Sequence, residues 1–174
     1  RPVMDLGFRK RLSCGIVILN DDAELLLCHV TEQDHWDLPK GGPLPGETPL
    51  AAALRETREE TGLALDAATL LDLGRLEYRP RKDLHLFATL TPRFDTALLT
   101  CESLFTDDSG IRRLPEMDGF GWFGFDQVGA LCTPKLAAVL CGRLDLETVL
   151  ERLRVGATPL MATPEQRQDL RLYT

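Results

Sequence analysis

The chain has 174 residues, 44% hydrophobic and 27% charged, an ordinary composition for one globular domain with a sizeable core. Its net charge of −7 argues against general nucleic-acid binding and against a membrane-surface role, so a polyanionic ligand would be met locally, by metals and a few arginines. No apolar run approaches the ~18 residues of a membrane span, and the opening residues carry no signal-peptide pattern, although residues before Arg1 can be missing. The five cysteines, Cys14, Cys28, Cys101, Cys132 and Cys141, are odd in number and form no CxxC. They read as buried thiols in a reducing cytosol, and the expected location is cytoplasmic.

Residues 1–10 are a lead-in with weak pattern. Residues 11–20 and 24–30 read as two strands around the turn signal Asn20-Asp21-Asp22. Both are nearly continuous in apolar character, which suits strands covered on both faces. His29 reads as a core or strand-edge histidine, and His35 sits at the mouth of the next loop as a candidate substrate contact. That loop, Trp36-Asp37-Leu38-Pro39-Lys40-Gly41-Gly42, is glycine-rich, and backbone N–H groups of such loops can approach phosphate closely. Lys40 is either a phosphate contact or an exposed lysine. Trp36 either stacks on a base or plugs the loop.

A helix follows. Thr48 is its N-cap, Pro49 its first residue and Gly62 its stop. Leu50, Ala53, Leu54 and Thr57 face the core, while Glu56, Glu59 and Glu60 fall at i, i+3, i+4 on the other side. Like charges so placed destabilise a helix by roughly 0.2–0.5 kcal/mol per pair. A solvated acidic face is one reading. The other is a hard cation, because Mg²⁺ takes oxygen ligands and is commonly shared with substrate phosphates.

Gly41, Glu47, Arg55, Glu56, Glu59, Glu60 and Gly62 fit the pattern G-x5-E-x7-R-E-U-x-E-E-x-G-U. Residues 41–63 thus resemble the Nudix box, with Thr57 where that family usually places Leu, Ile or Val. The resemblance implies a loop–helix–loop that binds divalent cations, Mg²⁺ or Mn²⁺. Glu56, Glu59 and Glu60 match its metal-binding acids, and Gly41 the glycine whose carbonyl can join them. Glu56 or Glu59 would also deprotonate the attacking water, and Arg55 and Glu47 match the pair that orients the acids. The chemistry is sound on first principles: a diphosphate resists hydroxide through its own charge, and cations neutralise that charge and acidify water. The run WDLPKG before the box resembles the branch acting on dinucleoside polyphosphates and diphosphoinositol polyphosphates.

Residues 69–79 and 84–91 read as two further strands with Pro80-Arg81-Lys82-Asp83 turning between them. Arg79, Arg81 and Lys82, with Tyr78 beside them, form a basic cluster that is either an exposed hairpin or a phosphate or ribose contact. His85 alternates with Leu84 and Leu86 and is a candidate to face the cleft. Residues 93–116 are the least regular and read as a lid or insertion, with Arg112 and Arg113 available to phosphates. Many Nudix enzymes place one more acid outside the box near this point, as metal ligand or base; Glu116 is the candidate, with Asp118 behind it. The run 119–125 reads as a strand. Residues 125–128 open a short helix, Thr133-Pro134 start another through about Cys141, and residues 144–154 form an amphipathic helix that docks on the domain or on a second subunit. The last residues read as an extended tail.

The fold class expected is α/β, a Nudix α/β/α sandwich with a mixed curved sheet. It forms a single domain over residues 1–174, with a core at about 10–145 and a C-terminal helix and tail at about 146–174. The function implied is metal-dependent hydrolysis of a phosphoanhydride in a nucleoside diphosphate linked to X. A dinucleoside polyphosphate is the first candidate, and a nucleoside triphosphate or ADP-ribose the alternatives. The site expected comprises Glu59, Glu56, Arg55 and Glu47 for catalysis, Gly41, Glu56, Glu59, Glu60 and Glu116 for Mg²⁺ or Mn²⁺, and Lys40, Trp36, Arg79, Arg81 and Lys82 for substrate. The partner expected is a small nucleotide, with no membrane and no general nucleic acid, the chain acting as a monomer or homodimer. A non-catalytic nucleotide sensor is the reading from a different class, disfavoured because no box acid is lost.

Overall fold

The computed structural model describes residues 10–157; the expected lead-in up to residue 9 and the tail from residue 158 lie outside the described residues. β1 (Arg11–Leu19) and β2 (Glu24–Val30) meet at a turn held by Asn20, whose Oδ1 accepts the N–H groups of Asp22 and Glu24 at 3.0 and 3.2 Å. Beyond the Leu19–Leu25 pair the two strands splay. The wedge between them is filled by β3 (Trp36–Asp37) on β2 and β4 (Lys40–Gly41) on β1. This insertion brings the glycine-rich loop into the sheet. Gly15 permits it, because a Cβ there would lie 2.7 Å from both Lys40 Cβ and the Pro39 carbonyl oxygen.

The helix α1 spans Pro49–Thr61. Thr48 Oγ1 accepts the Ala51 N–H, and Gly62 closes the helix at φ 82°, as its sequence dictates. β5 (Leu71–Arg79) and β6 (Lys82–Leu90) form an antiparallel hairpin, and β6 runs parallel to β1 along its whole length. The turn is tighter than the expected residues 80–83, since Lys82 and Asp83 already pair with Arg79 and Glu77. Residues 93–116 hold a 3₁₀ turn at Thr96–Leu98 and a separate two-stranded sheet, β7 (Leu104–Thr106) with β8 (Arg113–Pro115). β9 (Met117–Gly124) then pairs with β2. The main sheet is mixed, in the order β3-β2-β1-β6-β5, with β4 also on β1 and β9 also on β2.

Alternation along β1 and β2 divides two layers. Cys14, Ile16, Ile18 and Leu26 pack under Ala52 and Ala53 of α1. Val17, Leu19, Leu25 and Leu27 pack with Leu84 and Leu86 against the C-terminal helices. Those helices are α2 (Val128–Leu131), α3 (Pro134–Ala138) and α4 (Leu146–Ala157). The helix expected through about Cys141 is α-helical only to Ala138 and continues as a wider π turn, Val139–Arg143; Leu136, Val139 and Leu140 are nonetheless core. α4 docks back on its own domain through Leu146, Val149, Leu150 and Leu153. Not all thiols are buried as expected: Cys14, Cys28 and Cys132 are, but Cys101 is half-buried and Cys141 is exposed, because the π turn ends the buried stripe beside it.

Candidate active site

The three glutamates of α1 sit in three environments. Glu60 points inward at the C-terminal end of the helix and is 2% exposed. Its Oε2 accepts the Lys40 N–H at 2.9 Å, so β4 and α1 are latched at this carboxylate. Burial pushes the Glu60 carboxyl up to about 9, against the lowering effect of the Lys40 N–H and charge, with Glu56 and Glu116 raising it further. Glu56 is half enclosed. Burial raises its pKa as well, opposed by the Arg55 hydrogen bond and charge, while Glu59 and Glu116 push it upward. Glu59 is the open one, its side chain 43% exposed.

Arg55 is the hub. Its Nε and Nη2 grip both oxygens of Glu47 at 2.9 Å, and Nη2 also reaches the Gly42 carbonyl at 3.0 Å. Nη1 donates to Glu56 at 2.9 Å and to Glu59 at 3.2 Å. A bidentate guanidinium–carboxylate pair fixes geometry as well as charge, so Glu47 anchors Arg55 and Arg55 orients two acids. Glu47 lies below the ordinary carboxylate value through the Arg55 hydrogen bonds and the Leu44 N–H. A side chain at Gly41 would displace the Glu56 carboxylate, since a Cβ would lie 2.2 Å from its carboxyl carbon.

Glu116 enters from between β8 and β9. Its N–H donates to the Ser103 carbonyl and its carbonyl accepts from the Thr31 N–H. Its charge acts on both Glu56 and Glu60. Asp118, two residues on, instead bonds His29 Nδ1 at 2.5 Å. Among the described residues no three acidic, histidine or cysteine side chains already converge as a ligand set; Glu56 and Glu59 are turned onto Arg55. The donor set nevertheless fits a divalent cation. Buried carboxylates that raise one another's pKa, beside a backbone position kept clear at Gly41, are hard oxygen donors in search of positive charge.

Two clefts concern the expected site. One, about 350 Å³, is lined by Glu60, Glu116, Lys40, Asp37, His35 and Phe105 among others. The second, about 460 Å³, is formed by Arg11, Arg79, Pro80, Arg81 and Lys82 and is lined by none of the acids. Lys40 is not the exposed lysine of the simpler expectation: its ammonium is bound to Asp37 Oδ2 at 2.9 Å and lies 5.9 Å from the Tyr78 ring centre. Arg79 stacks over the same ring and bonds its hydroxyl. The Lys82 pKa is lowered by burial, then by Lys40, Arg79 and Arg11, so these cations share one field. Trp36 does not line the acid cleft; its ring packs edge-on against His29 and Phe123. His85 bonds Asp72 and stacks on Phe87 rather than facing either cleft. Arg112 lies 3.8 Å from both Glu32 and Asp107. Asp37 and Phe105 were not anticipated. Asp37 carried a signal, its i, i+3 spacing to Lys40; Phe105 carried none.

The model of the NUDIX domain matches residues 9–139. The chain belongs to this family. A Pseudomonas putida (strain F1) RNA pyrophosphohydrolase is 33% identical to it over 128 residues, 68% of this chain and 78% of that protein. One from Halorhodospira halophila is 42% identical over 79 residues, 44% of this chain and 42% of that protein. The chain thus spans less than half of the Halorhodospira relative. Among solved structures, the Caenorhabditis elegans Ap4A hydrolase binary complex superposes with a TM-score of 0.53 at 21% identity, covering 82% of this chain and 98% of that one. The MutT protein of Methanosarcina mazei gives 0.57 at 16% identity, covering 88% and 99%. The structural likenesses show the Nudix fold, and the family with its sequence relatives supports a pyrophosphohydrolase enzyme.

Proposed function

We propose that this Nudix domain hydrolyses a phosphoanhydride bond in a nucleoside 5′-polyphosphate, with a dinucleoside polyphosphate as its substrate and a divalent cation, Mg²⁺ or Mn²⁺, as its cofactor. The observation that carries the reading is the Arg55 hub, which holds Glu56 and Glu59 at 2.9 and 3.2 Å from one nitrogen beside the buried Glu60. Glu56, Glu59, Glu60 and Glu116, with the Gly41 carbonyl, would hold the metal. Bound there, a divalent cation would neutralise phosphate charge and acidify water. The chain's own residues do the rest. Glu47 keeps Arg55 from swinging, and Arg55 keeps the two carboxylates from turning to solvent. One of that pair takes the proton of the attacking water; Glu59 has the open access to solvent. Arg79, Arg81 and Lys82 meet the phosphates that leave, and Lys40 connects that basic cleft to Glu60.

The names of the relatives favour a second reading, in which the polyphosphate is the 5′ end of an RNA. The two substrates share a nucleoside and a chain of anhydrides and differ in what lies beyond. Product analysis with a dinucleoside tetraphosphate, a 5′-triphosphate oligoribonucleotide, the nucleoside triphosphates and ADP-ribose, each with Mg²⁺ and with Mn²⁺, separates them. One preferred substrate, lost with EDTA and in Glu59→Gln, is the expected result. No turnover of any, with the cation bound and the fold intact, overturns the enzyme reading in favour of a nucleotide sensor.

A further inference from the structure

Two walls enclose the cleft beside Glu60 and Glu116. One is the turn after β2, which contributes Thr31, Gln33 and His35. The other is the β7–β8 hairpin with the residue after it, which contributes Phe105 and Glu116. At the root the walls are joined by backbone. The Thr31 N–H donates to the Glu116 carbonyl at 3.1 Å, and the Glu116 N–H donates to the Ser103 carbonyl at 2.9 Å. At the outer end they are joined by charge. Arg112, in the hairpin just before β8, reaches across to Glu32, which stands between Thr31 and Gln33, with 3.8 Å between Nη2 and Oε1.

The outer contact is built to exchange. The Arg112 guanidinium also lies 3.8 Å from Asp107 Oδ2. At such distances it is attracted by two carboxylates and directly hydrogen-bonded to neither. Its side chain is 63% exposed and that of Glu32 50%. Phosphate oxygens take a guanidinium through two short charge-assisted bonds, which outcompete contacts of this length. Glu32 itself stands at φ 61°, a left-handed conformation uncommon for residues other than Gly, Asn and Asp. A glutamate at this position goes against the local backbone preference, and what its side chain contributes there is the contact to Arg112.

We propose that Glu32 is a built-in competitor for Arg112: the pair spans the mouth of the cleft, and an entering polyphosphate takes Arg112 from Glu32. This rests on the pyrophosphohydrolase reading and adds a substrate-positioning residue to it. Glu32→Gln frees Arg112, so KM for a dinucleoside tetraphosphate with Mg²⁺ falls about two- to fivefold, the worth of an exposed ion pair, while kcat holds. Arg112→Gln raises KM. In the Arg112→Gln background, Glu32→Gln changes nothing further, because the pair it would break is already gone. Asp34, exposed on the same turn, is the control: Asp34→Asn removes the same charge without touching the pair and leaves KM as it was. A purely structural glutamate would not lower KM on its removal. An unchanged or raised KM in Glu32→Gln, or an unmoved one in Arg112→Gln, overturns the proposal. So does an equal fall on adding Glu32→Gln to Arg112→Gln or in Asp34→Asn, which marks a general field rather than a pair. If the wild type hydrolyses no nucleoside polyphosphate, the enzyme reading fails on its own, and calorimetry of inorganic tripolyphosphate with Mg²⁺ reads the pair instead. Binding tightened by Glu32→Gln in the wild type but not in the Arg112→Gln background sustains it; the same affinity in all forms, or no binding, overturns it.

Discussion

The side chains of β1 and β2 that point toward α1 and those that point toward α3 and α4 come from the same alternating runs, yet they build different layers. Beneath α3 and α4 the contacts are almost wholly apolar, with Leu136, Leu140 and Leu150 essentially buried against Leu84 and Leu86. Beneath α1 the apolar set is smaller, and the layer also holds Glu60, buried at 2% exposure, and the charged Arg55 hub beside it. One layer spends sequence on burial alone. The other gives up burial to keep carboxylates where water would normally solvate them. The comparison teaches that the fold can hold costly charges on one face because the opposite face anchors the sheet.

That division can be broken from either side. The largest effect is expected at the chemistry. Glu59→Gln should lower turnover by about 10²–10⁴-fold, the usual worth of a positioned general base, with thermal unfolding little changed, because this carboxylate is the exposed member of the trio. Steady-state rates and a melting curve on one preparation check both halves. Leu140→Ala should do the reverse. It removes a fully buried side chain from the anchoring layer and should cost about 2–5 kcal/mol in denaturant unfolding, while kcat of the folded fraction is kept. A large activity loss there would mean that the two layers are not independent.

Gly41→Ala probes the seam. The new Cβ would lie 2.2 Å from the end of a flexible side chain, Glu56, so the carboxylate can move aside and the fold survives. The orientation imposed by Arg55 does not. Misplacing a reacting group by ~1 Å can cost about 10²-fold, and a loss of that order with an unchanged melting temperature is the expected outcome. Wild-type turnover in this variant would show that Glu56 need not sit against the loop.

Much of this arrangement is legible in the sequence because it is local. Thr48, Pro49 and Gly62 bound α1, and the nearly continuous apolar runs at residues 11–20 and 24–30 announce strands covered on both faces. The strand period cannot separate Glu116 from Asp118, two residues on and on the same face by that rule; Asp118 is lost to His29 only once β9 is laid on β2. What the helix period cannot say is which of three acids on one side is buried. That depends on where β4 crosses the end of α1, a contact between residues twenty apart. The β7–β8 hairpin escaped for the same reason. Its strands are three residues long, half-exposed, and held by long-range bonds to the Glu59 carbonyl rather than by a pattern of their own. Lys40 reads from the sequence as either a phosphate contact or an exposed lysine; its pairing with Asp37 was missed, although the i, i+3 spacing of the two pointed to it.

The smallest expected effect sharpens the comparison through pH. Asp83 lies at the start of β6, 8% exposed, between Arg75 at 2.8 Å and Lys10 at 3.3 Å. The Arg75 hydrogen bond is the main cause that holds its carboxyl below the ordinary 3.8; burial opposes it, and Lys10 assists. A depressed folded-state pKa contributes stability that is fully present above the unfolded value and is lost as pH falls through the folded one. Both cationic partners are half open to solvent, so the contribution is that of a surface pair, about 0.2–1 kcal/mol. The difference in unfolding free energy between wild type and Asp83→Asn should therefore be constant from pH 7 down to about 4 and shrink below it. Leu140→Ala should show no such convergence, because an apolar layer carries no proton. If the two variants respond to acid alike, the charged and apolar layers do not differ in the way their composition implies.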